Sequence, residues 1–367
     1  MTQLLIAAGG GGDAIGTTLV HHALHGDEPA VVLSYSWERL VVDPVPGPRA
    51  ERDFTGLRPL TARVSQITAT SSAVAPAGST LPRLAHELPI TLGLLNPYRG
   101  VPHLAGQIAE AAEKYAVDEV KVVDVGGDVF ARGDEPTLLS PLPDALVIAA
   151  CATAGVPARL FLAGPGLDCE VPERDLLPDA GTDYVTLTAS DTRSVEHVFD
   201  WHPSEASALL AAAARGLRGG CVVRDTGRPV VLSDAGARVY RIPIDRVLAR
   251  NRLAHALYVR DVDSLDAAEQ VSRDVCGFSE LQRERERALR PQEMGSSEGS
   301  VDEALNDLDL WVKELQATDA EARYATFRCV AEGLGLTGAA ARSLRTRLVE
   351  ERPRQYAAPL FALSAPD

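Results

Sequence analysis

Short apolar runs alternate with segments of helical spacing over the first 250 residues of the chain. Several of these runs are continuous and rich in β-branched residues, which is typical of strands buried on both faces. The predicted strands are residues 4–8, 30–34, 62–68, 119–124, 158–162, 184–187 and 220–224. The predicted helices are residues 14–25, 80–88, 103–116, 141–154 and 204–215. This alternation predicts an α/β fold with a mainly parallel sheet and helices on both faces.

The pattern changes after about residue 247, because helical segments then follow one another without a clear strand. The predicted helices there are residues 265–275, 280–289, 301–315, 320–334 and 338–350. A Gly/Ser-rich stretch at residues 294–300 predicts a flexible linker. We therefore predict an α/β ligand-binding domain over residues 1–293 and a helical C-terminal appendix over residues 300–355. The tail at residues 358–367 is expected to be poorly ordered.

Composition and charge narrow the class of protein. The chain of 367 residues is 46% hydrophobic, enough for a sizeable core, and its formal net charge is −15. That charge disfavours sequence-independent binding to nucleic acid or to an anionic membrane. No apolar run reaches the roughly 18 residues of a membrane helix. We expect a small-molecule partner, no nucleic acid and no membrane, with the C-terminal helices as the candidate surface for a homo-oligomer.

The five cysteines are scattered, odd in number and without a Cys-x-x-Cys pair. Such a pattern favours reduced thiols over a disulfide framework or a zinc ribbon. The N-terminus has no basic segment before its first apolar run, which disfavours a signal peptide. These features predict a cytoplasmic protein.

Four consecutive glycines follow the first predicted strand, where a helix is about to begin. Free N–H groups and the helix dipole attract an anion at such a turn, and glycines let a ligand approach the backbone. The predicted ligand-binding residues here are Gly9, Gly10, Gly11, Gly12 and Asp13. Gly9, Gly11 and Ala14 fit a relaxed dinucleotide fingerprint, but Glu38 comes too late to be the usual acid at the end of the second strand. The alternative is a tight turn with Asp13 as the helix cap.

The segment "SYSWERLVVDPVPGPR" at residues 34–49 follows the second strand and should lie at the same edge of the sheet. Its aromatic, acidic and guanidinium groups suit a base or sugar that carries a phosphate. The residues predicted to contact the ligand are Ser36, Trp37, Arg39 and Arg49. The alternative is a surface loop in which Trp37 packs inward and Glu38 and Arg39 are solvated.

The segment "VVDVGGDVFARGDEPTLLSPLPDAL" at residues 122–146 brings five acids to the end of a buried strand. Such acids repel one another unless a hard cation such as Mg²⁺ or Ca²⁺, sugar hydroxyls or arginines offset their charge. Asp124 and Asp128 are predicted as catalytic residues and metal ligands, and Glu38 or Glu135 as a catalytic acid. Gly126 and Gly127, between the two aspartates, are predicted to bind the ligand. The alternative is that most of these acids cap helices or face solvent.

A third strand end carries the same combination of glycines and acids. In "LAGPGLDCE" at residues 162–170, the predicted ligand-binding residues are Gly164, Gly166 and Asp168. Since parallel strands end at one edge of a sheet, these three strand ends should converge on one site.

Two further patterns are less specific. His202 precedes a predicted helix start at Ser204, so it is either a general acid–base or part of a cap. The stretch at residues 327–348 resembles a helix-turn-helix whose second helix carries Arg342, Arg345 and Arg347, but a helical hairpin that packs on the body or on another subunit is the favoured interpretation.

Four segments together resemble one bacterial and archaeal family of uncharacterised proteins, the DUF1152 domain. They are "GGGGDAIG", "SWERLVVDPVPGPR", "DVGGDVFARGDEPTLLSPLPDAL" and "HPSEASALLAAAARGLRGG", and the likeness spans about residues 1–290. The resemblance implies a Rossmann-like three-layer α/β fold and carries no activity.

The residues therefore predict an enzyme that binds a nucleotide or a sugar phosphate at the carboxyl edge of the sheet. One carboxylate would activate water, which indicates hydrolase or lyase chemistry, with Mg²⁺ as the candidate cofactor. The alternatives are an NAD(P)-dependent oxidoreductase and a ligand-sensing regulatory module with a helix-turn-helix-like C-terminus.

Overall fold

The structure is a computed structural model that describes residues 1–224, 229–289 and 299–365. The predicted linker lies outside these residues except for its last two positions. The strands are β1 (Gln3–Ala7), β2 (Ala30–Ser34), β3 (Phe54–Thr55), β4 (Arg58–Pro59), β5 (Ser65–Ile67), β6 (Ser72–Ala73), β7 (Thr91–Leu94), β8 (Val120–Val125), β9 (Ala158–Ala163), β10 (Tyr184–Thr186), β11 (Gly219–Val222), β12 (Pro229–Leu232), β13 (Arg238–Pro243), β14 (Ala322–Ala325), β15 (Tyr356–Ala357) and β16 (Leu360–Ala362).

The α-helices lie between these strands and follow them towards the C-terminus. They are α1 (Asp13–His25), α2 (Leu81–Glu87), α3 (Gly100–Tyr115), α4 (Pro141–Thr153), α5 (Glu173–Ala180), α6 (Glu205–Ala214), α7 (Ile244–Arg250), α8 (Arg252–Val259), α9 (Leu265–Cys276), α10 (Glu280–Leu289), α11 (Val301–Thr318), α12 (Phe327–Gly333) and α13 (Gly338–Glu351). Short 3₁₀ helices include Asp128–Phe130. Among the described helices, none combines the length and the apolar character needed to cross a membrane.

The central sheet has the strand order β10-β13-β9-β8-β1-β2-β7-β5-β4. Its five inner strands, from β9 to β7, are parallel, and the outer strands pair in antiparallel fashion. The predicted α/β class with a mainly parallel sheet is thus confirmed. The strands β7 and β13 were not predicted.

The sheet is buried on both faces, as the apolar strands predict. Side chains alternate along a strand, so Leu4 and Ile6 of β1 join a core with α3 and α4. Leu5 and Ala7 point the other way, into a core with α1 and α6. This is a three-layer arrangement with one hydrophobic core on each side of the sheet.

The strand order reverses direction at β1. The chain proceeds from β1 to β2 and β7 on one side and returns to form β8 on the other side. The helices that follow β1 and β8 pack on opposite faces, α1 on one and α4 on the other. A crevice therefore opens between the carboxyl ends of β1 and β8, which is the position where doubly wound sheets bind ligands.

The C-terminal region is not purely helical, so the prediction of uninterrupted helices there is wrong. The strand β14 interrupts the predicted helix at residues 320–334, and the tail forms the buried strand β16. They belong to a second sheet with the order β12-β11-β14-β16-β15. The partners of β14 are distant in sequence, and pairing between distant strands overrides a local helical pattern.

Residues 301–362 also follow a recognisable order of elements. The order is helix, strand, helix, helix, strand, strand, and the three strands pair as β14-β16-β15. This is the connectivity of a winged-helix unit, and its strand β14 is hydrogen-bonded to β11 of the body.

The close approach of α1 to β8 gives a test of the fold. A Cβ at Gly16 would lie 2.2 Å from Cγ2 of Val125, so Gly16→Ala should lower the free energy of unfolding by about 1–3 kcal/mol. This loss exceeds the gain of up to about 1 kcal/mol in helix propensity. Val125→Ala should remove most of the clash. The double variant should therefore lose less stability than the sum of the losses in the two single variants. Urea unfolding measures the free energy of unfolding of all three variants. A Gly16→Ala protein that is more stable than wild type would contradict the close packing of α1 against β8.

Candidate functional site

Three carboxylates converge at the crevice between β1 and β8. Asp124 is near the end of β8, Asp13 is the first residue of α1, and Asp144 lies in the first turn of α4. Each offers one oxygen, and these oxygens all lie within 4.8 Å of one another. The two helices thus start at the crevice from opposite faces of the sheet, and each brings an acid to the end of β8.

The three carboxylates are largely removed from water. Asp124 and Asp144 are each 1% exposed, whereas Asp13 is partly exposed. Oδ2 of Asp124 and Oδ1 of Asp144 have no hydrogen-bond partner among the described residues. Oδ2 of Asp13 accepts the backbone N–H of Gly9 at 2.8 Å. A buried ionised carboxylate without a partner is unfavourable by several kcal/mol, so these oxygens need protons or a cation.

Burial raises the pKa of every member of the group. Burial raises the pKa of Asp13 to about 7, although the Gly9 N–H and the charge of Arg39 oppose this. Burial also raises the pKa values of Asp124 and Asp144 well above their usual range, and the charges of neighbouring aspartates raise them further. The protons therefore belong to the group as a whole rather than to single residues.

Further acids surround these three. Asp168 accepts the N–H of Asp128 at 3.3 Å and that of Glu170 at 2.9 Å. Burial, and then the charges of Glu170 and Asp124, raise the pKa of Asp128 well above its usual range. Burial and the charge of Glu170 raise the pKa of Asp168 to about 8. Asp128 and Asp168 extend the acidic site along the ends of β8 and β9.

The arrangement is suited to a hard divalent cation. Carboxylate oxygens are the preferred protein ligands of Mg²⁺ and Ca²⁺, and Mg²⁺ keeps its other positions for water or substrate oxygens. The sequence predicts Asp124 and Asp128 as metal ligands. The three acids whose oxygens lie close enough to hold one ion are Asp124, Asp13 and Asp144, and the metal role stays a prediction.

The four glycines make room for protein atoms. A Cβ at Gly9 would lie 2.8 Å from Oδ2 of Asp13, and one at Gly11 would lie 2.5 Å from Oε2 of Glu38. Gly10 has a φ of +107° and lies against the backbone carbonyl of Trp37. At Gly12 the neighbour is the Ser204 hydroxyl. Gly12, and not Asp13, is the residue before α1, and ligand binding by this turn stays a prediction.

Residues 34–49 are fixed mainly by contacts within the protein. Glu38 accepts the N–H and the hydroxyl of Thr80, each at 2.7 Å. Trp37 donates its indole N–H to Glu284, and Arg49 forms a buried ion pair with Asp43 at 2.8 Å. The inward packing of Trp37 matches the surface-loop alternative, whereas Glu38, which that alternative places in solvent, is buried.

Two other residues of this segment were predicted to contact the ligand. Ser36 donates a hydrogen bond to the Ser79 hydroxyl at 2.9 Å. Arg39 is exposed, and its charge acts on Asp13. Arg39 is thus the predicted ligand-binding residue of this segment that lies within electrostatic reach of the carboxylates.

Glu135 lies in its own loop and does not belong to the three-carboxylate group. Its carboxylate accepts the N–H groups of Arg132 and Gly133 at 2.7 and 2.9 Å. Because this interaction closes a turn, the structure gives Glu135 a local structural role.

The other predicted glycines shape the two loops that carry Asp128 and Asp168. Gly126 and Gly127 have φ values of +123° and +125°, and Gly164 and Gly166 have values of +57° and +84°. A Cβ at Gly126 would lie 2.3 Å from Cβ of Asp168. These glycines therefore let the acidic loops after β8 and β9 pass close to each other.

Asp144 and Glu170 are not among the site residues predicted from the sequence. Glu170 accepts the N–H groups of Leu139 and Ser140 at 2.7 and 2.9 Å, so it caps the start of α4. An acid in the first turn after "SPLP" was the available signal for Asp144. No local signal indicated that α4 begins beside β1.

His202 is buried beside the start of α6, and its contacts support the helix-cap interpretation. Burial, and then the charges of Arg39 and Arg83, lower its pKa to about 3. Its Nδ1 accepts the N–H of Ser204 at 3.1 Å, and Ser204 caps α6 as predicted.

The fold and the site define a doubly wound α/β protein with a buried acidic site at the point where the strand order reverses. The family model described as "Protein of unknown function (DUF1152)" matches residues 4–288. The chain belongs to this family, as the sequence motifs indicated. No curated protein and no solved structure matches the chain.

The raised pKa values predict how stability depends on pH. Asp13 and Asp168 titrate at about 7 and 8 in the folded protein and near 4 when unfolded. The folded state therefore holds more protons between these values, and the free energy of unfolding of the metal-free protein should fall as the pH rises from 5 to 9. Urea unfolding in EDTA at several pH values measures this slope.

Asp124→Asn should flatten that slope and stabilise the metal-free protein at pH 8 by roughly 1 kcal/mol or more, since one pKa unit is about 1.4 kcal/mol. Asp134→Asn is the matched control, because Asp134 is exposed and paired with Arg252. A free energy of unfolding that stays constant or rises between pH 5 and 9 would argue against raised pKa values in these acids.

Proposed function

We propose that the protein is a divalent-cation-dependent enzyme that acts on a small phosphorylated metabolite, such as a nucleotide or a sugar phosphate. The observation that supports this is the group of Asp13, Asp124 and Asp144, with two buried oxygens that lack partners. Three carboxylates would neutralise one divalent cation and leave a net negative charge. Additional positive charge near the opening then comes from Arg39, whose charge acts on Asp13.

Asp128 is the residue that we assign as general base. Its side chain is buried among the other acids, and burial and their charges raise its pKa, which makes it a stronger base when it is ionised. The bound cation would orient the substrate phosphate and lower its negative charge. Water that has lost its proton to Asp128 would attack the phosphorus atom of a phosphoester or the anomeric carbon of a glycoside. The bond from that atom to the leaving oxygen or base nitrogen would break, and the leaving atom would take up a proton from solvent, to which Asp128 returns the one that it accepted. This is hydrolase chemistry.

Metal binding is the first test. Isothermal titration calorimetry with Mg²⁺, Mn²⁺ and Ca²⁺ should show one site per chain, and 100 times the Kd should stabilise the fold by about 2.7 kcal/mol. Asp124→Asn and Asp144→Asn should each reduce the affinity at least tenfold, whereas Asp134→Asn should leave it unchanged. Equal affinity in all four proteins would refute the site.

Substrate class is the second test. The metal-loaded protein is screened against nucleotides, nucleosides, sugar phosphates and NAD(P), first by thermal shift and then by release of phosphate or base. Asp128→Asn should retain metal binding and lose at least 100-fold in turnover, in line with the loss of a general base. If NAD(P) alone shifts the melting temperature, the oxidoreductase alternative is favoured instead.

A cytoplasmic location fits the cysteines. All five, Cys151, Cys169, Cys221, Cys276 and Cys329, are free thiols. Burial raises the pKa of Cys151 to about 12, so this thiol is unreactive. We propose the reducing cytoplasm as the location of the protein.

A second candidate function is a ligand-sensing regulator that binds duplex DNA. The winged-helix order of residues 301–362 favours it, because α12 and α13 are separated by a four-residue turn with Gly335 at a φ of +74°. Arg342 and Thr346 are exposed on α13. Arg345 instead pairs with Asp200 of the body at 2.8 Å, which restricts the surface open to DNA.

Fluorescence anisotropy with labelled duplexes tests this candidate. If α13 enters the major groove, binding should weaken steeply with salt and Arg342→Ala should weaken it severalfold. Absence of binding at 50 mM salt would exclude DNA as a partner of α13.

A further inference from the structure

A surface cavity of about 510 Å³ lies on the outer side of the loop that carries Asp128. Four arginines line it, and we call it the arginine pocket: Arg132, Arg246, Arg250 and Arg252. The acidic residues in its wall are Asp134 and Asp179. Four guanidinium groups against two carboxylates leave two positive charges in excess, within a chain whose net charge is −15. The pocket therefore differs in sign from the rest of the molecule.

Two of the arginines are held in place by the loop itself. The Arg250 side chain is 8% exposed, donates to the carbonyl of Phe130 at 2.6 Å and lies over the Phe130 ring at 4.7 Å. Arg252 donates to the carbonyl of Arg132 at 2.9 Å. Asn251, between them, donates to the carbonyl of Val129 at 3.0 Å. These bonds fix the guanidinium groups in the wall before any ligand arrives, which reduces the entropy cost of binding.

The other two arginines are able to turn towards a ligand. A guanidinium nitrogen of Arg132 lies 4.0 Å from a carboxylate oxygen of Asp179, and the two side chains are 59% and 48% exposed. An ion pair on the surface contributes little to stability. The Arg246 side chain is exposed and has no hydrogen bond or ion pair with the described residues. Burial lowers the pKa of Arg250, and the nearby charge of Arg132 lowers it further while Asp179 opposes this. An anion between these guanidinium groups would relieve their repulsion.

We propose that the arginine pocket binds a phosphorylated small molecule with at least two negative charges. Guanidinium groups match phosphate oxygens with two parallel hydrogen bonds. The volume lies in the range of sites that hold a nucleotide-sized ligand. The residues that line the pocket do not include the three carboxylates, and the proposal does not depend on the proposed function.

Isothermal titration calorimetry in EDTA, with inorganic pyrophosphate and ATP as probes, tests the pocket. EDTA removes divalent cations, so the carboxylates repel both probes and cannot account for binding. Wild type should bind at least one probe at 50 mM salt, and 300 mM salt should weaken the affinity severalfold. Arg132→Ala with Arg246→Ala should weaken it at least tenfold. Both are exposed, whereas Arg250 and Arg252 stay unchanged because they hold the loop.

Two control variants locate the binding. Arg260→Ala, at an exposed arginine paired with Asp274, should bind like wild type. Arg58→Ala with Arg99→Ala alters a second cavity of about 500 Å³ and should also leave binding unchanged. The proposal fails if only this second pair weakens binding, or if neither probe binds in EDTA. It also fails if binding requires Mg²⁺ and is lost in Asp124→Asn, a result that would instead support the carboxylate site.

Discussion

Repulsion among buried carboxylates is the constraint on which the end of the sheet depends. Asp13, Asp124 and Asp144 hold oxygens within 4.8 Å of one another in a region with little water. The dipoles of α1 and α4 favour the negative charge by roughly 0.3–1 kcal/mol each. Burial of one ionised carboxylate costs several kcal/mol. The helix dipoles therefore offset only a small part of the cost of burying these charges. Protons or a cation must supply the remaining stabilisation.

The glycine-rich turns are a consequence of that arrangement. Space beside Gly9 is filled by the Asp13 carboxylate, and space beside Gly126 is filled by Asp168. A side chain at either glycine would push an acid away from the site. The glycines thus shape the acidic site, because they let acidic side chains approach the backbone and one another at a distance that a Cβ would prevent.

The sequence predicted the fold class and the convergence of three strand ends, because a buried parallel strand has a clear apolar pattern and its end lies at a known edge. It also predicted Asp124 and Asp128 as parts of the acidic site. It could not predict that Asp144 completes the group, since that depends on α4 starting on the opposite face from α1. Nor could it show that Glu38 and Arg49 have partners inside the protein, namely Thr80 and Asp43.

The pairing of β14 with β11 has a consequence for the evolution of the chain. The strand β11 lies within the region that the family model matches, residues 4–288, whereas β14 lies beyond it. An exposed strand edge invites aggregation, and Cys221 and Val222 of β11 are buried beneath this pairing. A relative that ended near residue 288 would have to protect that edge in another way, with a charged residue, a proline or a second subunit. In this protein β14 therefore covers the edge of β11 within the family domain.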